Sequence, residues 1–341
     1  MSSAPLVSIL LPTYNAYPFI LERIDGIRTQ TYRNFRVIIF DSGSSDGTQE
    51  VIKSATKDPR FEVISGPREG LYKAWNFLKK KATGSYCYIA TADDSFHPDF
   101  LQVAVEDLET NPSADMWASP IELVDESGLR LHRLESTHPG LRFMAKNATT
   151  GIRDGTLDAL LHIPLDMLYV SLTAFFFRTA NFTKALDFPT NGHTTADREW
   201  TMRYLPGKRI FFRNRILANW RLHTKQASAT INAEAEADYR RVYDEQIWNA
   251  AATTPRFSAL KHISYQNLSS HCSFLLRRDY ARRPTVTGTV AQLLFGCYLK
   301  HPFWSIQADL QRLIGSRSST LGQRLRIAAA IAKNAPVVQQ Y

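Results

Sequence analysis

Four short apolar runs near the N-terminus constrain the fold of this chain more than any other feature. They occupy residues 7–11, 35–40, 61–65 and 86–90, and they are rich in β-branched and aromatic side chains. Each run ends at a turn or a polar cluster, which is typical of strands buried on both faces of a parallel sheet. The runs therefore predict the central strands of an α/β domain.

Segments with helical periodicity separate these runs. Leu71, Trp75 and Leu78 recur at i, i+4 and i+7, which predicts a helix and assigns Trp75 to the core rather than to a ligand-binding surface. The resulting βαβαβαβ order predicts a mostly parallel sheet flanked by helices. In such sheets ligands bind at the carboxyl ends of the strands, so the residues that follow each run are the first candidates for function.

The remainder of the chain gives a weaker pattern. We predict a loop at residues 140–155, strands at 172–178 and 216–222, and a helix at 195–204. After that the chain becomes helical and Arg-rich. We therefore predict two regions: an α/β domain over residues 1–235 and a basic helical extension over residues 236–341.

Composition excludes several classes of protein. The chain has 341 residues, of which 44% are hydrophobic and 21% charged, and this excludes a disordered, collagenous or low-complexity protein. Three cysteines without C-x-x-C spacing exclude a disulfide scaffold and favour a reducing compartment. The longest apolar stretch, residues 290–299, is shorter than the ~20 residues that a membrane-spanning helix needs. With no signal-peptide pattern at the N-terminus, we expect a cytoplasmic protein.

Positive charge is concentrated in the last third of the chain. Residues 239–341 hold 14 basic and 4 acidic side chains, whereas the first 238 residues hold 27 and 28. This asymmetry indicates an anionic partner, either nucleic acid or a membrane surface. Because bulky aromatics such as Phe303 and Trp304 accompany the arginines, we favour helices that lie on the inner face of the cell membrane. The alternative is that these helices only pack on the α/β domain, with solvated arginines.

Three polar clusters follow the predicted strands, at residues 12–15, 41–48 and 91–95. A parallel sheet brings such clusters to one edge, where Asp41, Asp93 and Asp94 would repel one another without a cation. Mg²⁺ and Mn²⁺ favour carboxylate oxygens and usually combine one or two of them with substrate phosphates. A metal that holds a diphosphate stabilises it as a leaving group. For Asp41 alone, a simple turn-forming role is an equally good interpretation.

Five segments, in this order, resemble the nucleotide-binding half of family 2 glycosyltransferases: VSILLPTYN from residue 7, DSGSSDGT from 41, GLYKAWN from 70, ATGSY from 82 and ADDS from 92. Residues 196–200 and 220–223 are similar to the acceptor-side motifs of that family. The resemblance covers about residues 5–230. It implies a GT-A fold and an inverting transfer of a sugar from a nucleotide-diphosphate donor, UDP by default, with Mn²⁺ or Mg²⁺ as cofactor. The implied acceptor is a hydroxyl of a glycan or lipid-linked oligosaccharide in surface polysaccharide biosynthesis.

The resemblance also implies roles for individual residues. The nucleotide-sugar site would include Pro12, Thr13, Tyr14, Asp41, Arg68, Asn76 and Asp93. Tyr14 would lie against the base, and Asp41 near the base or the ribose. Asp94 would hold the cation, with His223 as a further candidate ligand of the cation or the diphosphate.

Two positions depart from the family pattern. Ser42 stands where the family often has a second acid, and Thr91 stands where the fuller acidic motif has Asp. The first departure puts the contact with the base in doubt. The second leaves metal binding to Asp93 and Asp94.

An inverting transfer needs a base on the acceptor side that takes the proton of the attacking hydroxyl. The resemblance assigns this role to Asp197, with Glu199 as the second choice. A carboxylate at the start of a helix also serves simply as a cap, and this interpretation stays open.

Two other functions compete with the glycosyltransferase. A sugar nucleotidyltransferase would normally show a Gly-rich, basic loop after the first strand, which residues 12–15 do not provide. A P-loop and the usual dinucleotide fingerprint are both absent from the sequence. A nucleic-acid-binding protein would use the basic extension, but its strand-end acids would repel phosphates. We therefore expect no nucleic acid partner.

Overall fold

The computed structural model describes residues 4–132, 138–156, 158–159, 162, 167–190, 196–224 and 226. The predicted basic extension over residues 236–341 lies outside the described residues. Among the residues that are described, no helix is both long enough and apolar enough to cross a bilayer.

Strands and helices alternate in the first part of the chain, in the order β1 (Val7–Thr13), α1 (Phe19–Arg28), β2 (Phe35–Asp41), α2 (Thr48–Ala55), β3 (Phe61–Ser65), α3 (Leu71–Lys79), β4 (Tyr86–Ile89), β5 (Ser95–Phe96) and α4 (Phe100–Thr110). The four predicted N-terminal strands are confirmed. The later elements are β6 (Met116–Ala118), β7 (Ile121–Val124), α5 (Pro139–Asn147), β8 (Gly151–Asp154), a 3₁₀ turn (Leu172–Ala174), β9 (Phe175–Arg178), α6 (Thr179–Thr183), α7 (Ala196–Tyr204), β10 (Arg209–Phe212) and β11 (Ala218–Arg221).

The strands form two sheets. The large sheet has the order β3-β2-β1-β4-β9-β6-β10-β8, and the small one has the order β5-β11-β7. Strands β3, β2, β1 and β4 are parallel, whereas β9 runs antiparallel to both of its neighbours, β4 and β6. The predicted mostly parallel α/β sheet is therefore confirmed, with an antiparallel strand inserted at its centre.

Strand register brings the first two polar clusters to one edge. Thr13 lies opposite Asp41, and Asp41 lies opposite Ser65. The third cluster follows β4, which is parallel to β1 and pairs Ile89 with Leu10. All seven residues of β1 are buried, as expected for a strand covered on both faces.

Aromatic packing connects the sheet to α7. Trp200 on α7 contacts Phe177 of β9 edge-on, with ring centroids 5.9 Å apart, and stacks on Phe188 at 4.5 Å. Trp75 is buried in the same core, so the prediction that it is a core residue is confirmed. Aromatic contacts of this kind fix the orientation of α7, which carries Asp197.

The prediction of a loop at residues 140–155 is wrong. This segment contains most of α5 and all of β8, and β8 pairs with β10 at the edge of the large sheet. The pairing is a long-range contact, so local periodicity does not reveal it. The predicted strand at residues 172–178 begins as a 3₁₀ turn, and only Phe175–Arg178 is extended.

We expect Gly84→Ala to destabilise the fold strongly. Gly84 has φ +80°, and an added Cβ would lie 2.5 Å from the carbonyl oxygen of Leu6. Backbone strain and the clash together predict a loss of about 3 kcal/mol in the free energy of unfolding, measured by urea denaturation. Gly207 is the matched control, because it has φ +76° with nothing within 4 Å of an added Cβ. Gly207→Ala should cost about 1 kcal/mol. Equal losses in the two variants would contradict the clash.

Candidate active site

Asp41 shapes the turn that follows β2. Its carboxylate is fully buried. Oδ1 accepts a hydrogen bond from Ser44 Oγ at 2.5 Å, and Oδ2 accepts one from the Ser44 backbone N–H at 3.1 Å and one from Gln49 Nε2 at 3.2 Å. The turn-forming interpretation of Asp41 is therefore confirmed, and its proximity to the base or ribose stays a prediction.

The loop after β1 is fastened to the same turn. Asn15 Oδ1 accepts from the Ser45 N–H at 2.8 Å, while the Asn15 N–H donates to Ser44 Oγ at 2.9 Å. The Ala16 N–H donates to Thr48 Oγ1 at 2.9 Å. These bonds hold the first two polar clusters as one unit.

Tyr14 and Arg68 come together on this unit. The guanidinium carbon of Arg68 lies 4.1 Å from the centre of the Tyr14 ring, and the Tyr14 side chain remains partly exposed. Cation–π contact of this kind holds a flexible arginine over a flat surface. Thr13 directly precedes Tyr14. Its hydroxyl is buried and has no hydrogen-bond partner within the described part of the chain. The structure thus pairs two predicted nucleotide-binding residues, Tyr14 and Arg68.

Asp93 and His223 meet although they are 130 residues apart. Oδ2 of Asp93 lies 3.0 Å from Nε2 of His223. The Asp93 side chain is 30% exposed and that of His223 is 8% exposed, so the pair is reached from solvent through Asp93. The His223 ring packs against the ring of Phe19, with centroids 4.9 Å apart, which fixes its orientation.

Asp94 points into the protein instead. Its Oδ1 accepts from the Arg221 N–H at 2.9 Å, and its Oδ2 accepts from the hydroxyl of Thr91 at 2.5 Å and from that of Thr173. Burial and the neighbouring charge of Asp93 raise the pKa of Asp94 to about 6. Thr91, which replaces an acid of the family pattern, therefore acts as a hydrogen-bond donor to Asp94.

Asp41, Asp93 and Asp94 do not form a common metal site within the described part of the chain. Among the described residues, no group of three or more His, Cys, Asp or Glu side chains is arranged to hold a metal ion. The expectation of one site built from Asp41, Asp93 and Asp94 is therefore wrong, because Asp41 is engaged by its own turn. The assignment of the cation to Asp94 stays a prediction, but the side chain beside His223 is that of Asp93.

Arg221, to which the motif at residues 220–223 assigned no individual role, connects the Asp93 loop to residues 125–126 and to α1. Arg221 is almost completely buried. Its guanidinium donates to the carbonyl oxygens of Asp93 (2.8 Å), Asp125 (3.2 Å) and Glu126 (2.9 Å), and it forms an ion pair with Glu22 at 2.5 Å. The period of two was the available signal, because it separates Arg221, the last residue of β11, from His223 by one full strand repeat.

Asp197 lies in the first turn of α7, where a negative charge is stabilised by the helix dipole. Its Oδ1 accepts from the Arg198 N–H at 2.9 Å and from the hydroxyl of Tyr72 at 3.4 Å. Burial raises the pKa of Asp197. A carboxylate with a raised pKa is a stronger base, so the site suits proton abstraction. Glu199, by contrast, is engaged in an ion pair with Arg203 at 2.9 Å.

Asn76 uses both ends of its amide within the protein. Its Oδ1 accepts from the Phe188 N–H at 2.7 Å, and its Nδ2 donates to the Phe188 carbonyl at 2.9 Å. The predicted contact of Asn76 with the nucleotide remains untested by this geometry. What the geometry does show is that Asn76 fixes the segment that leads to α7.

Known proteins resemble this chain in sequence. The family model described as Glycosyl transferase family 2 matches residues 8–169. An uncharacterized glycosyltransferase of Rickettsia felis is 31% identical over 134 residues, which are 39% of this chain and 22% of that relative. The uncharacterized glycosyltransferase RT0329 of Rickettsia typhi is 25% identical over 285 residues, which are 82% of each chain. The match thus covers about a fifth of the Rickettsia felis relative and most of the Rickettsia typhi one.

Solved structures resemble the chain in fold. The crystal structure of S. aureus TarS covers 96% of this chain and 53% of its own, with 19% identity and a TM-score of 0.59. TarS 1-349 in complex with UDP-GlcNAc matches with 18% identity and a TM-score of 0.58, and the match covers 96% of this chain and 88% of that one. Mannosyltransferase PcManGT from Pyrobaculum calidifontis, in complex with GDP-Man and Mn²⁺, matches with 18% identity and a TM-score of 0.51. This match covers 99% of this chain and 89% of that one. At these identities the likeness concerns the fold.

Proposed function

Because the chain belongs to glycosyl transferase family 2, matched over residues 8–169, and has the GT-A-type fold of its structural neighbours, we propose that it transfers a sugar from a nucleotide-diphosphate donor to an acceptor hydroxyl with inversion at C1. The observation that carries this proposal is the meeting of Asp93 and His223 beyond the carboxyl end of β4. Ligands of open α/β sheets bind at that edge. TarS 1-349 with UDP-GlcNAc and PcManGT with GDP-Man are neighbours that support a nucleotide-sugar donor.

The donor's nucleotide would bind to the unit formed by the loops after β1 and β2. Tyr14 offers an aromatic face for the base, and Arg68 offers a positive charge beside it. The buried hydroxyl of Thr13 supplies a hydrogen-bonding group that has no partner in the described protein. Pro12 and Asp41 would shape the floor of this site, since both are within or at the end of buried strands. UDP is the default donor nucleotide.

Asp93 and His223 fit a divalent cation at the diphosphate. Two ligand atoms that occupy neighbouring corners of an octahedron at about 2.1 Å from the metal are about 3 Å apart. The Asp93 Oδ2 to His223 Nε2 distance of 3.0 Å agrees with that spacing. Bound Mn²⁺ or Mg²⁺ would neutralise charge on the departing diphosphate. Asp94 stays the predicted further ligand of the cation, and its hydrogen bond from the Arg221 N–H fixes the backbone next to the pair. Phosphate and water would supply the remaining metal ligands.

Asp197 would take the proton from the acceptor hydroxyl. It accepts hydrogen bonds from a backbone amide and the Tyr72 hydroxyl, and burial raises its pKa despite the nearby positive charge of Arg198. Glu199 is a weaker candidate because Arg203 already pairs with it. The carboxylate of Asp197 needs only to orient the hydroxyl and accept its proton as the bond to C1 forms.

For the acceptor we propose a hydroxyl of a glycan or of a lipid-linked oligosaccharide in surface polysaccharide biosynthesis. The support is the charge of the C-terminal third, where residues 239–341 have 14 basic and 4 acidic side chains. Such a segment is attracted to the anionic inner face of the cell membrane, where a lipid-linked acceptor is presented.

Nucleotide binding should depend on a divalent cation and on Asp93. We expect UDP, GDP or dTDP to bind at least tenfold more tightly with Mn²⁺ than without it, measured by isothermal titration calorimetry. Asp93→Asn should remove most of that Mn²⁺ effect, because an amide is a poorer ligand than a carboxylate. Asp25→Asn on α1 is the control, since Asp25 is an exposed acid paired with Arg28. Equal Mn²⁺ effects in wild type and Asp93→Asn would contradict the assignment.

Asp197→Asn should abolish transfer while leaving donor affinity nearly normal. Loss of a general base typically lowers kcat by about 10²–10⁴-fold. The measurement is nucleoside diphosphate release from a panel of nucleotide sugars, together with the Kd of the donor nucleotide. Glu199→Gln is the comparison variant and should stay within about fivefold of wild type, because an amide still accepts from Arg203. The reverse order of activities would assign the base to Glu199.

Full-length protein should cosediment with liposomes that contain anionic lipid at low salt. Each Lys or Arg near such a surface contributes about 1 kcal/mol, and the attraction weakens as salt screens it. Truncation at residue 238 should greatly reduce cosedimentation, with neutral phosphatidylcholine liposomes as the control. If the full chain ignores anionic liposomes, the membrane role fails and the donor chemistry is unaffected.

A further inference from the structure

One face of α3 is bonded along its length to the segment that leads into α7. Tyr72, Asn76 and Lys79 are spaced at i, i+4 and i+7, so they share that face. Lys79 is buried, and its ammonium group donates to the carbonyl oxygens of Ala185 (2.5 Å) and Leu186 (3.1 Å). It also pairs with Asp187 at 2.8 Å. The far end of α3 is thus anchored to residues 185–187.

Asn76 continues the same attachment one turn earlier. Its amide exchanges two hydrogen bonds with the backbone of Phe188, as a neighbouring strand would. Phe188 is buried and stacks on Trp200 of α7 with ring centroids 4.5 Å apart. Trp200 in turn donates its ring N–H to the Leu186 carbonyl at 2.8 Å. Displacement of residue 188 would therefore be transmitted to α7.

Tyr72 reaches α7 directly. Its hydroxyl lies 3.4 Å from Oδ1 of Asp197. Its ring packs edge-on against Trp75 at 5.5 Å and lies parallel to Phe188 at 6.4 Å, so the hydroxyl is held in place. Hydrogen bonds to catalytic groups are often long in a protein without substrate and shorten when the substrate binds.

We propose that Tyr72 and Asn76 are positioning residues: they hold the Asp197 carboxylate at a set place relative to the donor site. The proposal rests on the function proposed above. It follows from the juxtaposition of two attachments on one rigid helix, which begins just after Gly70, close in sequence to Arg68, and is bonded through Lys79 to residues 185–187. Asn76 thereby has a role in catalysis without contact with the nucleotide.

The hydroxyl of Tyr72 also stabilises the charged form of Asp197. Among the described residues, the side chains that act most strongly on the charge of this carboxylate are those of Arg198 on α7 and Tyr72 on α3. Burial raises the pKa of Asp197, and Arg198 and the Tyr72 hydroxyl lower it. Removal of the hydroxyl should therefore raise the pKa, and a base with a higher pKa becomes protonated at higher pH.

The first test is Tyr72→Phe, which deletes a single oxygen. In a pH series of nucleoside diphosphate release from the nucleotide sugar found by the donor screen, we expect the acidic limb of kcat to move up by about 0.5–1 pH unit. The donor KM should stay within about twofold. Tyr86→Phe is the control, because it also removes a hydrogen-bonded hydroxyl, but one bonded to Glu109 and remote from Asp197. If the acidic limb of kcat in Tyr72→Phe stays at the wild-type pH, the role of Tyr72 is overturned.

The second test is Asn76→Asp, which keeps the acceptor for the Phe188 N–H but sets an oxygen against the Phe188 carbonyl. We expect kcat to fall at least tenfold, with the Kd for UDP–Mn²⁺ within about twofold of wild type. Asn111→Asp is the matched control, because Asn111 also donates to a backbone carbonyl, that of Asp107 at 2.8 Å. A weaker Kd with unchanged kcat would overturn the proposal and return Asn76 to the nucleotide site.

Asp197→Asn belongs in the same series because it separates two kinds of failure. If Asp197→Asn is inactive and the two positioning variants behave like their controls, the positioning role alone is overturned. If Asp197→Asn is fully active, the base assignment fails and the positioning role fails with it. If Asp197→Asn is inactive and both positioning variants show their expected changes while their controls do not, both roles are supported.

Discussion

In the parallel register of β1 with β2, Thr13 lies opposite Asp41, and Asp41 lies opposite Ser65 of β3. A shift of one residue would turn every buried side chain of β2 toward the other face of the sheet, which the two-sided core forbids. The polar loops after these strands are therefore forced to the same edge. Asn15 and Ser44 can then bond across the gap, which gives the proposed donor site a fixed floor.

Arg221 imposes a second constraint, because it joins parts of the fold that the large sheet does not connect. Its guanidinium bonds three backbone carbonyls and Glu22 of α1, while its N–H holds Asp94. A buried guanidinium is costly unless its donors are used, and here each nitrogen has an oxygen partner. The loop of Asp93 is thus fixed against α1 and the small sheet. The same segment places His223, two residues after Arg221, beside Asp93.

The sequence alone predicted the four parallel strands, the burial of Trp75 and the helix that carries Asp197, because these depend on local periodicity. It failed at residues 140–155, where β8 exists through its long-range pairing with β10. It also placed Asp41 in a cation cluster, because residue type alone does not distinguish a carboxylate that forms a turn from one that binds a metal. The contacts of Tyr72 with Asp197 and of Arg221 with Asp93 join residues 125 and 128 positions apart, and no spacing rule reaches that far.

Helix α3 explains how two distant loops can act on one reaction. Its nine residues span about 14 Å, and a hydrogen-bonded helix of that length moves as a unit. The donor-side residues before its first turn and the bonds to residues 185–188 at its last turns therefore keep a fixed separation. In the proposed transfer the attacking hydroxyl must be placed accurately at C1, because a misplacement of about 1 Å can cost about 10²-fold in rate. A rigid spacer between the two proposed sites meets this requirement better than a pair of independent loops, and the two bonds of Asn76 to the Phe188 backbone provide one end of that spacer.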